Sequence, residues 1–338
     1  MRLAVVILSY NTRDLLRQAI TSVLASAALT EDRLAVDIVI VDNASQDGSP
    51  AMVAAEFPQV YLVASDKNLG YTGGNNLGMA RLGFDTASSR PNLRDLAPDR
   101  FFLDLPDFVL LLNADAEVAG DALWQMAHFL AEYPGAGACG AQLRYGNGAF
   151  QHGAFAFPNL FQVALDFFPL TGFPGIQRAH NSLLNGRYPD FLWQEAQPFP
   201  VDFVLGAALM VRREVILQVG GLDDAFFLYC EEMDWCLRME NAGWIVFALP
   251  TAHVIHHEAQ SSKQVRWPSY IQLWRSRFRF YTKHPHLYPR PYVQWVRALM
   301  RLGLWWRTQQ AHQRFAGGAI TGVQLAEELA AYSLLKRL

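Results

Sequence analysis

Short apolar runs recur along the first third of the chain, and segments with a helical pattern separate them. The runs have the length of strands and cover residues 3–8, 36–41, 60–63 and 108–112. Nearly continuous hydrophobicity is typical of strands buried on both faces of a sheet. From Asp14 to Ala27 the apolar residues are instead spaced like one face of a helix. The alternation predicts an α/β fold with a mostly parallel sheet and helices on both faces.

Turn and loop chemistry marks two further segments. Residues 47–50 read Asp-Gly-Ser-Pro, which predicts a turn and the start of a helix that continues to Glu56. Residues 68–76 are rich in glycine and predict a loop, followed by a short helix to about Leu82.

Two other segments interrupt the alternation. Residues 84–106 contain several prolines and little periodicity, which predicts a surface loop or an insertion. Residues 142–200 are rich in Gly, Pro, Phe and Asn and predict a wall built of loops. From Val201 an apolar run resumes, and a helix is predicted at 212–219.

Polar clusters follow three of the predicted strands at the point where each strand ends. They are Ser9-Tyr10-Asn11, Asp42-Asn43 and Asn113-Ala114-Asp115. In a parallel sheet covered by helices, ligands bind beyond the carboxyl ends of the strands. The fold therefore brings the three clusters to one edge of the sheet, and their convergence predicts a ligand site there.

Composition and charge narrow the class of protein. The 338 residues are 51% hydrophobic and 17% charged, which is ample apolar material for a folded core. The formal net charge of −3 argues against a general nucleic-acid binder, because such proteins carry a strong basic excess. We therefore expect no nucleic-acid partner.

The cysteines and the chain start indicate a cytoplasmic protein. Cys139, Cys230 and Cys236 form no CxxC pair, and an odd number at these spacings fits neither a disulfide framework nor a zinc site. The first apolar run is only about six residues long and has no cleavage site, so it predicts a strand rather than a signal peptide. No uninterrupted apolar run approaches the roughly 20 residues that span a bilayer. We expect the protein in the cytoplasm, either free or at the inner face of the cytoplasmic membrane.

Aromatic residues and arginines alternate in the C-terminal region, from Trp267 to Arg307. The pattern predicts basic, amphipathic helices. A solvated helix face explains it as well as peripheral contact with anionic lipid headgroups or a lipid diphosphate does. We predict an α/β domain at 1–262 and a C-terminal helical extension at 263–338.

Six segments taken together resemble the inverting glycosyltransferase family 2. They read Val-Ile-Leu-Ser-Tyr-Asn (6–11), Val-Asp-Asn-Ala-Ser-Gln-Asp-Gly-Ser (41–49), Asn-Leu-Gly-Tyr-Thr-Gly-Gly-Asn-Asn (68–76), Leu-Leu-Asn-Ala-Asp (111–115), Phe-Phe-Leu-Tyr-Cys-Glu-Glu-Met-Asp-Trp-Cys-Leu-Arg (226–238) and His-His-Glu-Ala-Gln-Ser (256–261). The segments follow the family's order, and the members they resemble most are rhamnosyltransferase-like enzymes.

The resemblance implies a GT-A fold with a Rossmann-like sheet, and an enzyme of the hexosyltransferase class. Such an enzyme moves a sugar, here rhamnose by the nearest resemblance, from a nucleotide-diphosphate donor. The implied acceptor is a hydroxyl of a saccharide or of a polyprenyl-linked sugar, in the synthesis of cell-surface polysaccharide.

A divalent cation, Mn²⁺ or Mg²⁺, is also implied, because a cation across two phosphates stabilises the charge that grows on the leaving group. Asp115 supplies one oxygen ligand at a strand end. Family members usually have Asp-x-Asp here, whereas this chain has Asn113 at the first position. His256 matches the second ligand, and its spacing to Ser261 favours it over His257. Imidazole suits Mn²⁺ better than Mg²⁺.

The segment at 226–238 matches the family's catalytic segment. Inverting transfer needs a carboxylate that stands opposite the leaving group and takes the acceptor's proton. Glu232 matches that base, although members commonly have Asp there. Glu231 and Asp234 then orient Arg238, the loop or the acceptor. The flanking aromatic residues predict a carboxyl pKa raised toward neutrality by desolvation.

The strand-end positions and the resemblance imply a set of contacts to the donor nucleotide. Asp42 would accept hydrogen bonds from the base or the ribose, and Ser9, Tyr10 and Asn11 would surround the base. Glycines let the backbone approach the donor closely. The other predicted donor contacts are Asn43, Asn68, Gly70, Gly74, Asn75, Asn113, Ala114 and Asp115.

Two alternatives remain open at this point. A nucleotidyltransferase shares a parallel sheet and a metal carboxylate, but it needs a basic, glycine-rich signature after strand one, which Ser9 to Arg13 does not supply. A carbohydrate-binding relative with weak catalysis is supported only by Asn113 and by Glu at position 232.

Overall fold

The computed structural model describes residues 1–86, 101, 104–168, 182–257 and 266–338. These residues form two compact units. The first comprises Met1–Ala156, Tyr188–Phe227 and Glu231–Ser261, and the second Phe157–Arg187, Leu228–Cys230 and Ser262–Leu338. The predicted boundary at residue 262 lies outside the described residues and stays a prediction. Residues 157–187 and 228–230, which the sequence-based division assigned to the first domain, group with the C-terminal helices.

The four apolar runs of the first third form parallel strands. Their bounds are Arg2–Ser9 (β1), Ala35–Asp42 (β2), Tyr61–Ala64 (β3) and Phe108–Asn113 (β4). They lie in the order β3-β2-β1-β4, and each neighbouring pair is parallel. The predicted strands are confirmed to within two residues at each end.

The second half of the sheet is mixed in direction. Its strands are Ala116–Val118 (β5), Ala136–Arg144 (β6), Phe150–Gln151 (β7), Ala154–Phe155 (β8), Phe199–Val201 (β9), Phe203–Val204 (β10), Ala208–Arg212 (β11) and Ile245–His256 (β12). The main sheet continues from β4 through β11, β6 and β12 to β5. β11 runs antiparallel to both of its neighbours, whereas β12 is parallel to β6. β8 and β10 form a separate two-stranded pair.

Helices connect the strands of the first unit. They span Arg13–Ala28 (α1), Ser49–Glu56 (α2), Gly70–Leu82 (α3), Ala122–Glu132 (α4), Asp190–Gln194 (α6), Arg213–Val219 (α7) and Glu231–Asn241 (α8). The helix between α4 and α6, Leu160–Phe167 (α5), belongs to the second unit. Alternate residues of β1 point to opposite faces of the sheet, with Val5 and Ile7 in one apolar layer and Ala4 and Val6 in the other. Helices cover both layers, as predicted.

The prediction of a loop at 68–76 was wrong, because α3 begins at Gly70. Small residues explain how this helix forms against the sheet. A Cβ at Gly74 would lie 2.2 Å from Leu8 Cδ1, and a Cβ at Gly78 would lie 2.5 Å from Val6 Cγ1. The glycines therefore let the helix backbone pack closely on β1, which outweighs their low helix propensity.

The two segments predicted as loops have different outcomes. Of the predicted loop or insertion at 84–106, residues 87–100, 102 and 103 lie outside the described residues. The described part of 142–200 contains the short strands β7, β8 and β9 and the short helices α5 and α6. A wall of loops alone was therefore an incomplete description.

The second unit is helical. Besides α5 it contains Arg266–Lys283 (α9), Arg290–Ala316 (α10) and Gly322–Leu335 (α11), as the basic aromatic pattern predicted. Phe167 on α5 stacks on Trp274 at 4.9 Å between ring centroids, and Gly303 leaves room for the Phe167 side chain. The Asp166 carboxylate accepts a hydrogen bond from Arg277. Among the described helices, none combines the length and the hydropathy that crossing a bilayer requires.

Candidate active site

The three polar strand ends lie side by side, as the sheet rule predicted. Ser9, the last residue of β1, is the register partner of Asp42, the last residue of β2. On the other side of β1, Leu8 is the register partner of Asn113, the last residue of β4. The carboxyl edge of the parallel strands therefore brings a serine, a carboxylate and an amide into one row.

Asp42 presents one unpartnered oxygen at this edge. The side chain is only 2% exposed, and Oδ2 accepts a hydrogen bond from the backbone N–H of Ser45 at 2.9 Å. Oδ1 is buried and has no hydrogen-bond partner among the described residues. Leaving a buried acceptor unsatisfied is costly, so this oxygen is suited to receive a donor from a ligand.

The residues after β1 mostly bond within the protein. Ser9 Oγ lies 3.1 Å from Thr12 Oγ1, and Asn11 Oδ1 accepts from the backbone N–H of Gln46 at 2.8 Å. Asn11 has a positive φ of 52°, which is typical of Asn in tight loops. Tyr10 is 41% exposed. Of the three predicted base contacts, Tyr10 is thus the one with an exposed ring.

Asn43 and Asn68 fasten the start of α3. Asn43 Oδ1 accepts from the backbone N–H of Leu69 at 2.7 Å, and its amide donates to Asn68 Oδ1 at 2.9 Å. Asn68 Oδ1 also accepts from the N–H of Gly70 at 2.9 Å. Their side chains therefore shape the end of the loop, and the predicted donor contacts of both residues remain predictions.

Gly70, Gly74 and Asn75 each make close contacts inside the protein. Gly70 has a φ of +74°, and a Cβ there would lie 2.3 Å from the backbone oxygen of Phe227. Gly74 packs on Leu8 of β1. Asn75 is buried and donates to the backbone oxygen of Tyr71 at 3.0 Å. These three residues serve the packing of α3, and their predicted contacts to the donor remain predictions.

Asp115 and His256 meet where β4 ends and β12 ends. Asp115 lies in the turn Asn113-Ala114-Asp115 between β4 and β5, and His256 pairs in register with Ala116 of β5. The distance from Asp115 Oδ1 to His256 Nε2 is 3.4 Å, and both side chains are largely buried. Asn113 Nδ2 is also 3.4 Å from His256 Nε2. Residues 143 positions apart in sequence thus share one small polar region.

Gln151 is a neighbour of this pair that the sequence-based reasoning missed. Its Oε1 lies 3.2 Å from His256 Nδ1, and the glutamine is buried on the short strand β7. An amide oxygen can only accept, so this contact places the imidazole proton on Nδ1. In the neutral imidazole Nε2 then carries the lone pair, with the Asp115 carboxylate and the Asn113 amide each 3.4 Å away. Two acceptors that face each other are the arrangement that a shared cation stabilises.

His257 has a different role from His256. Its Nε2 lies 2.6 Å from Glu117 Oε1 on β5, and its backbone N–H donates to the backbone oxygen of Asp115 at 2.9 Å. His257 therefore fastens β5 to β12 beside Asp115. This geometry agrees with the choice of His256 as the metal-facing histidine, while Ser261 lies outside the described residues.

The donor set fits a divalent cation that a ligand helps to hold. Within the described ranges there is no group of three or more His, Cys, Asp and Glu residues that could hold a metal alone. One carboxylate and one imidazole leave most of a coordination shell to phosphate oxygens and water. Cations that bind substrate phosphates commonly have only one or two carboxylates from the protein, with phosphate oxygens and water completing the shell.

Two glutamates begin α8 in a desolvated environment. Burial raises the pKa of Glu232 to about 7, although backbone N–H groups of Glu232 and Met233 oppose the shift. Burial and then the neighbouring Glu232 charge hold the pKa of Glu231 well above its usual range. Oε2 of each glutamate is buried with no hydrogen-bond partner among the described residues. The two residues before the helix, Tyr229 and Cys230, both have positive φ, which is uncommon outside functional turns.

Asp234 is committed to an internal ion pair. Its Oδ2 lies 2.9 Å from Nε of Arg238, and the Asp234 side chain is fully buried. Arg238 also donates to the backbone oxygens of Val219 at 2.6 Å and Gly221 at 2.7 Å. Asp234 therefore orients Arg238, one of the alternatives that the sequence left open, and a direct catalytic role of Asp234 stays a prediction.

Tyr71 links the glutamates to the strand edge. Its hydroxyl donates to the backbone oxygen of Gly206 at 2.6 Å, and the next residue, Ala207, accepts from the backbone N–H of Asn113 at 3.0 Å. Burial raises the pKa of Tyr71, and the nearby charges of Glu231 and Glu232 raise it further. Tyr71 is thus bonded to the strand edge and is also affected by the charges at the start of α8.

Comparisons with known proteins find glycosyltransferases. The family model described as Glycosyl transferase family 2 matches residues 4–83, the part that contains β1, β2 and α3. The N-acetylglucosaminyl-diphospho-decaprenol L-rhamnosyltransferase of Mycobacterium tuberculosis is 29% identical over 247 residues, covering 71% of this chain and 72% of that protein. Rhamnosyltransferase WbbL of Escherichia coli K12 is 39% identical over 72 residues, which are 20% of this chain and 27% of that protein.

The chain is similar to members of glycosyltransferase family 2.

Solved structures of glycosyltransferases resemble the fold of this chain. The mannosyltransferase PcManGT from Pyrobaculum calidifontis, solved with GDP-Man and Mn²⁺, aligns over 100% of this chain and 81% of its own with a TM-score of 0.53 at 16% identity. GalNAc-T7, solved with UDP, GalNAc and Mn²⁺, aligns over 82% of this chain and 47% of its own with a TM-score of 0.51 at 14% identity. The fold is that of GT-A glycosyltransferases, which confirms the predicted fold class.

Proposed function

We propose that this chain is a metal-dependent, inverting glycosyltransferase of family 2 that moves a sugar from a nucleoside-diphosphate donor to an acceptor hydroxyl. One observation carries the proposal: Asp115 and His256, distant in sequence, approach to 3.4 Å at the carboxyl edge of the sheet. A carboxylate and a metal-facing imidazole at this edge are what a diphosphate-bound cation requires.

The nucleoside would bind at the ends of β1 and β2. The free Oδ1 of Asp42 is placed to accept a hydrogen bond from a base N–H or a ribose hydroxyl. Tyr10 has an exposed ring close in sequence to the buried Ser9, and such a ring can pack on a base. Neither group identifies which base is bound.

Asp115 and His256 would hold the cation, Mn²⁺ or Mg²⁺, together with the donor's phosphate oxygens. When bound, the cation would stabilise the negative charge that builds on the departing diphosphate. The chain's own contribution is to hold two acceptor atoms 3.4 Å apart and to fix the imidazole by the contact with Gln151.

Glu232 would act as the general base. Its buried carboxyl has a pKa of about 7, so near neutral pH a substantial fraction is ionised while its affinity for a proton remains high. The carboxylate would accept the proton of the acceptor hydroxyl as the oxygen attacks the anomeric carbon. The bond to the diphosphate breaks on the opposite face, which inverts the anomeric configuration. Glu231, which shares the site, would remain protonated and act as a hydrogen-bond donor.

The acceptor would be lipid-linked. The relative from Mycobacterium tuberculosis carries a polyprenyl-diphosphate sugar in its name and transfers rhamnose. By analogy we propose rhamnose as the donor sugar, a polyprenyl-linked saccharide as the acceptor and a role in cell-surface polysaccharide synthesis. Such an acceptor would place the enzyme at the inner face of the cytoplasmic membrane, with peripheral contact through the C-terminal helices.

Thermal stabilisation by nucleotide sugars, measured with and without Mn²⁺, tests this function. A ligand that binds only the folded state raises the melting temperature. We expect one donor to stabilise the protein when Mn²⁺ is present and much less when EDTA replaces it. The stabilising donor is then incubated with lipid-linked acceptors, and product formation is followed by mass spectrometry.

Three results would distinguish the proposed function from the two alternatives. Sugar transfer to the acceptor supports the proposal, whereas donor binding without transfer or hydrolysis supports the carbohydrate-binding alternative. In a separate incubation with a nucleoside triphosphate and a sugar 1-phosphate, release of pyrophosphate and formation of a nucleotide sugar would support the nucleotidyltransferase alternative, against which the match to the family model argues.

A further inference from the structure

Charge is strongly segregated along this chain. Residues 266–338 contain twelve lysines and arginines but only two acidic residues, Glu327 and Glu328. The whole chain has 28 basic and 31 acidic residues, so residues 1–265 are strongly acidic. The overall net charge of −3 therefore conceals a C-terminal segment with a net charge of +10. A concentration of positive charge on this scale predicts attraction to an anionic surface.

Some of these cations are used inside the second unit. Arg277 pairs with Asp166, and Arg314 lies 2.6 Å from Glu328. Arg307 donates to the backbone oxygen of Asp166. The basic residues that remain exposed on α9, α10 and the chain end are Arg275, Arg279, Lys283, Arg290, Arg301, Lys336 and Arg337.

An exposed aromatic stripe accompanies this charge on α10. Trp295 is 63% exposed, Leu302 55% and Trp305 57%. Their spacings of seven and three residues place them on one side of the helix. Val296, Met300 and Leu304 are buried on the other side of the helix. The helix thus has one apolar side that packs within the unit and a second that is open among the described residues.

Arg301 flanks the open side. It precedes Leu302, lies one helical turn from Trp305 and is exposed. Tryptophan favours the headgroup region of a bilayer, where its ring is partly buried and its N–H remains hydrated. Arginine beside it attracts anionic headgroups. In water, by contrast, each exposed tryptophan leaves a large apolar area unburied, which is unfavourable.

We infer that Trp295, Leu302 and Trp305, together with Arg301, form a docking surface for an anionic phospholipid bilayer. The helix would lie in the plane of the interface with the two indole rings among the headgroups, and the surrounding cations would supply the long-range attraction. This inference deepens the proposed function and rests on it in one respect only, because a lipid-linked acceptor would lie in the same membrane.

Vesicle flotation with the full chain tests the surface. The probes are vesicles of phosphatidylcholine alone and vesicles with about 30% phosphatidylglycerol, an anionic lipid. We expect at least tenfold tighter binding to the anionic vesicles, reduced about tenfold when the NaCl concentration is raised from about 0.05 M to about 0.5 M, where surface charges are screened.

Variants identify the residues. Trp295→Ala combined with Trp305→Ala should weaken binding at least fivefold, and Arg301→Glu about fivefold. The matched controls lie in the first unit: Leu29→Ala combined with Leu217→Ala removes two equally exposed apolar side chains, and Arg33→Glu makes the same change in net charge. The controls should bind as tightly as the unchanged protein.

Three outcomes would overturn the inference. They are the absence of binding to anionic vesicles, equal binding to neutral and anionic vesicles, and equal losses in the α10 variants and their controls. Light scattering provides a further test: conversion of a dimer to a monomer by the double tryptophan variant would show that a second copy covers this surface instead. Donor-dependent thermal stabilisation does not involve this surface. A protein that keeps donor-dependent thermal stabilisation but does not bind vesicles would refute the docking surface and leave the proposed sugar transfer standing.

Discussion

The Asp115 carboxylate lies 3.4 Å from Nε2 of His256, and the opposite ring nitrogen contacts Gln151 at 3.2 Å. β5 and β12 create this arrangement, because Asp115 directly precedes β5 and His256 ends β12. The contact between His257 and Glu117 holds the same two strands together. A proton or a cation between the carboxylate oxygen and the ring nitrogen would stabilise this approach.

Removing the carboxylate should abolish metal-assisted donor binding. Asp115→Asn keeps the size of the side chain but loses the negative charge that a divalent cation needs. We expect Mn²⁺ affinity in the presence of donor to fall tenfold or more, measured by titration calorimetry. Asp121→Asn, in the same unit and outside the site, is the control and should bind Mn²⁺ normally. Unchanged Mn²⁺ affinity in Asp115→Asn would remove the metal from the proposal.

We expect Gln151 to affect Mn²⁺ affinity through its contact with His256 and not through contact with the donor. Gln151→Ala removes the acceptor that keeps the proton on Nδ1 of His256, so Nε2 loses its fixed lone pair. We expect about tenfold weaker Mn²⁺ binding, which is typical when a partner of a metal-bound histidine is lost. Gln142→Ala, another buried glutamine, serves as the control. If both variants bind Mn²⁺ equally well, Gln151 does not position His256.

Glu232→Gln should separate binding from transfer. The amide cannot accept a proton, so the turnover number should fall by about a hundredfold or more while the donor's dissociation constant stays the same. In the unchanged enzyme, the rate of the chemical step should rise as the pH increases through about 7, where Glu232 loses its proton. Glu214→Gln on α7 is the control. Full activity in Glu232→Gln would refute the assignment of the base.

The same substitution should change stability in a pH-dependent way. The pKa of Glu232 is raised from 4.5 to about 7, so between these values the folded state holds a proton that the unfolded state has lost. The free energy of unfolding therefore decreases as the pH rises through this window. Glu232→Gln has no carboxyl to ionise, so it avoids this loss of stability, which the unchanged protein suffers only at high pH. We expect its melting temperature to exceed that of the unchanged protein by about 2 °C at pH 8 and by little at pH 5. An equal difference at both pH values would contradict the raised pKa.

Gly74 should matter for packing and not for donor binding. A Cβ at this position would lie 2.2 Å from Leu8, so Gly74→Ala forces α3 away from β1. Overpacking of this kind costs about 1–3 kcal/mol of stability. Gly135→Ala, where a Cβ has no atom within 4 Å, is the control. Thermal unfolding measures both variants. A stable Gly74→Ala protein with weakened donor binding would restore the role in donor contact that the sequence suggested.

Where the strands lie, and where they end, followed from the sequence alone. A run of apolar residues is a local signal, and burial on both faces requires it whatever the neighbouring strands are. For that reason Ser9, Asp42 and Asn113 could be predicted to share one edge before their partners were known. The motifs that contain Asp115, Glu232 and His256 could be recognised in the sequence for a similar reason, because each motif is a contiguous segment.

What only the tertiary structure decided depends on partners distant in the chain. The glycine-rich segment is helical because Leu8 and Val6 lie directly against it, and no local property of glycine predicts that. Asn43, Asn68 and Asn75 bond to backbone groups, while the similar Asp42 keeps a free oxygen. Gln151 reaches His256 from a strand of two residues, which has no periodicity to reveal it. A polar side chain takes its role from the atoms that folding brings to it, and those atoms are set by the packing of the whole sheet.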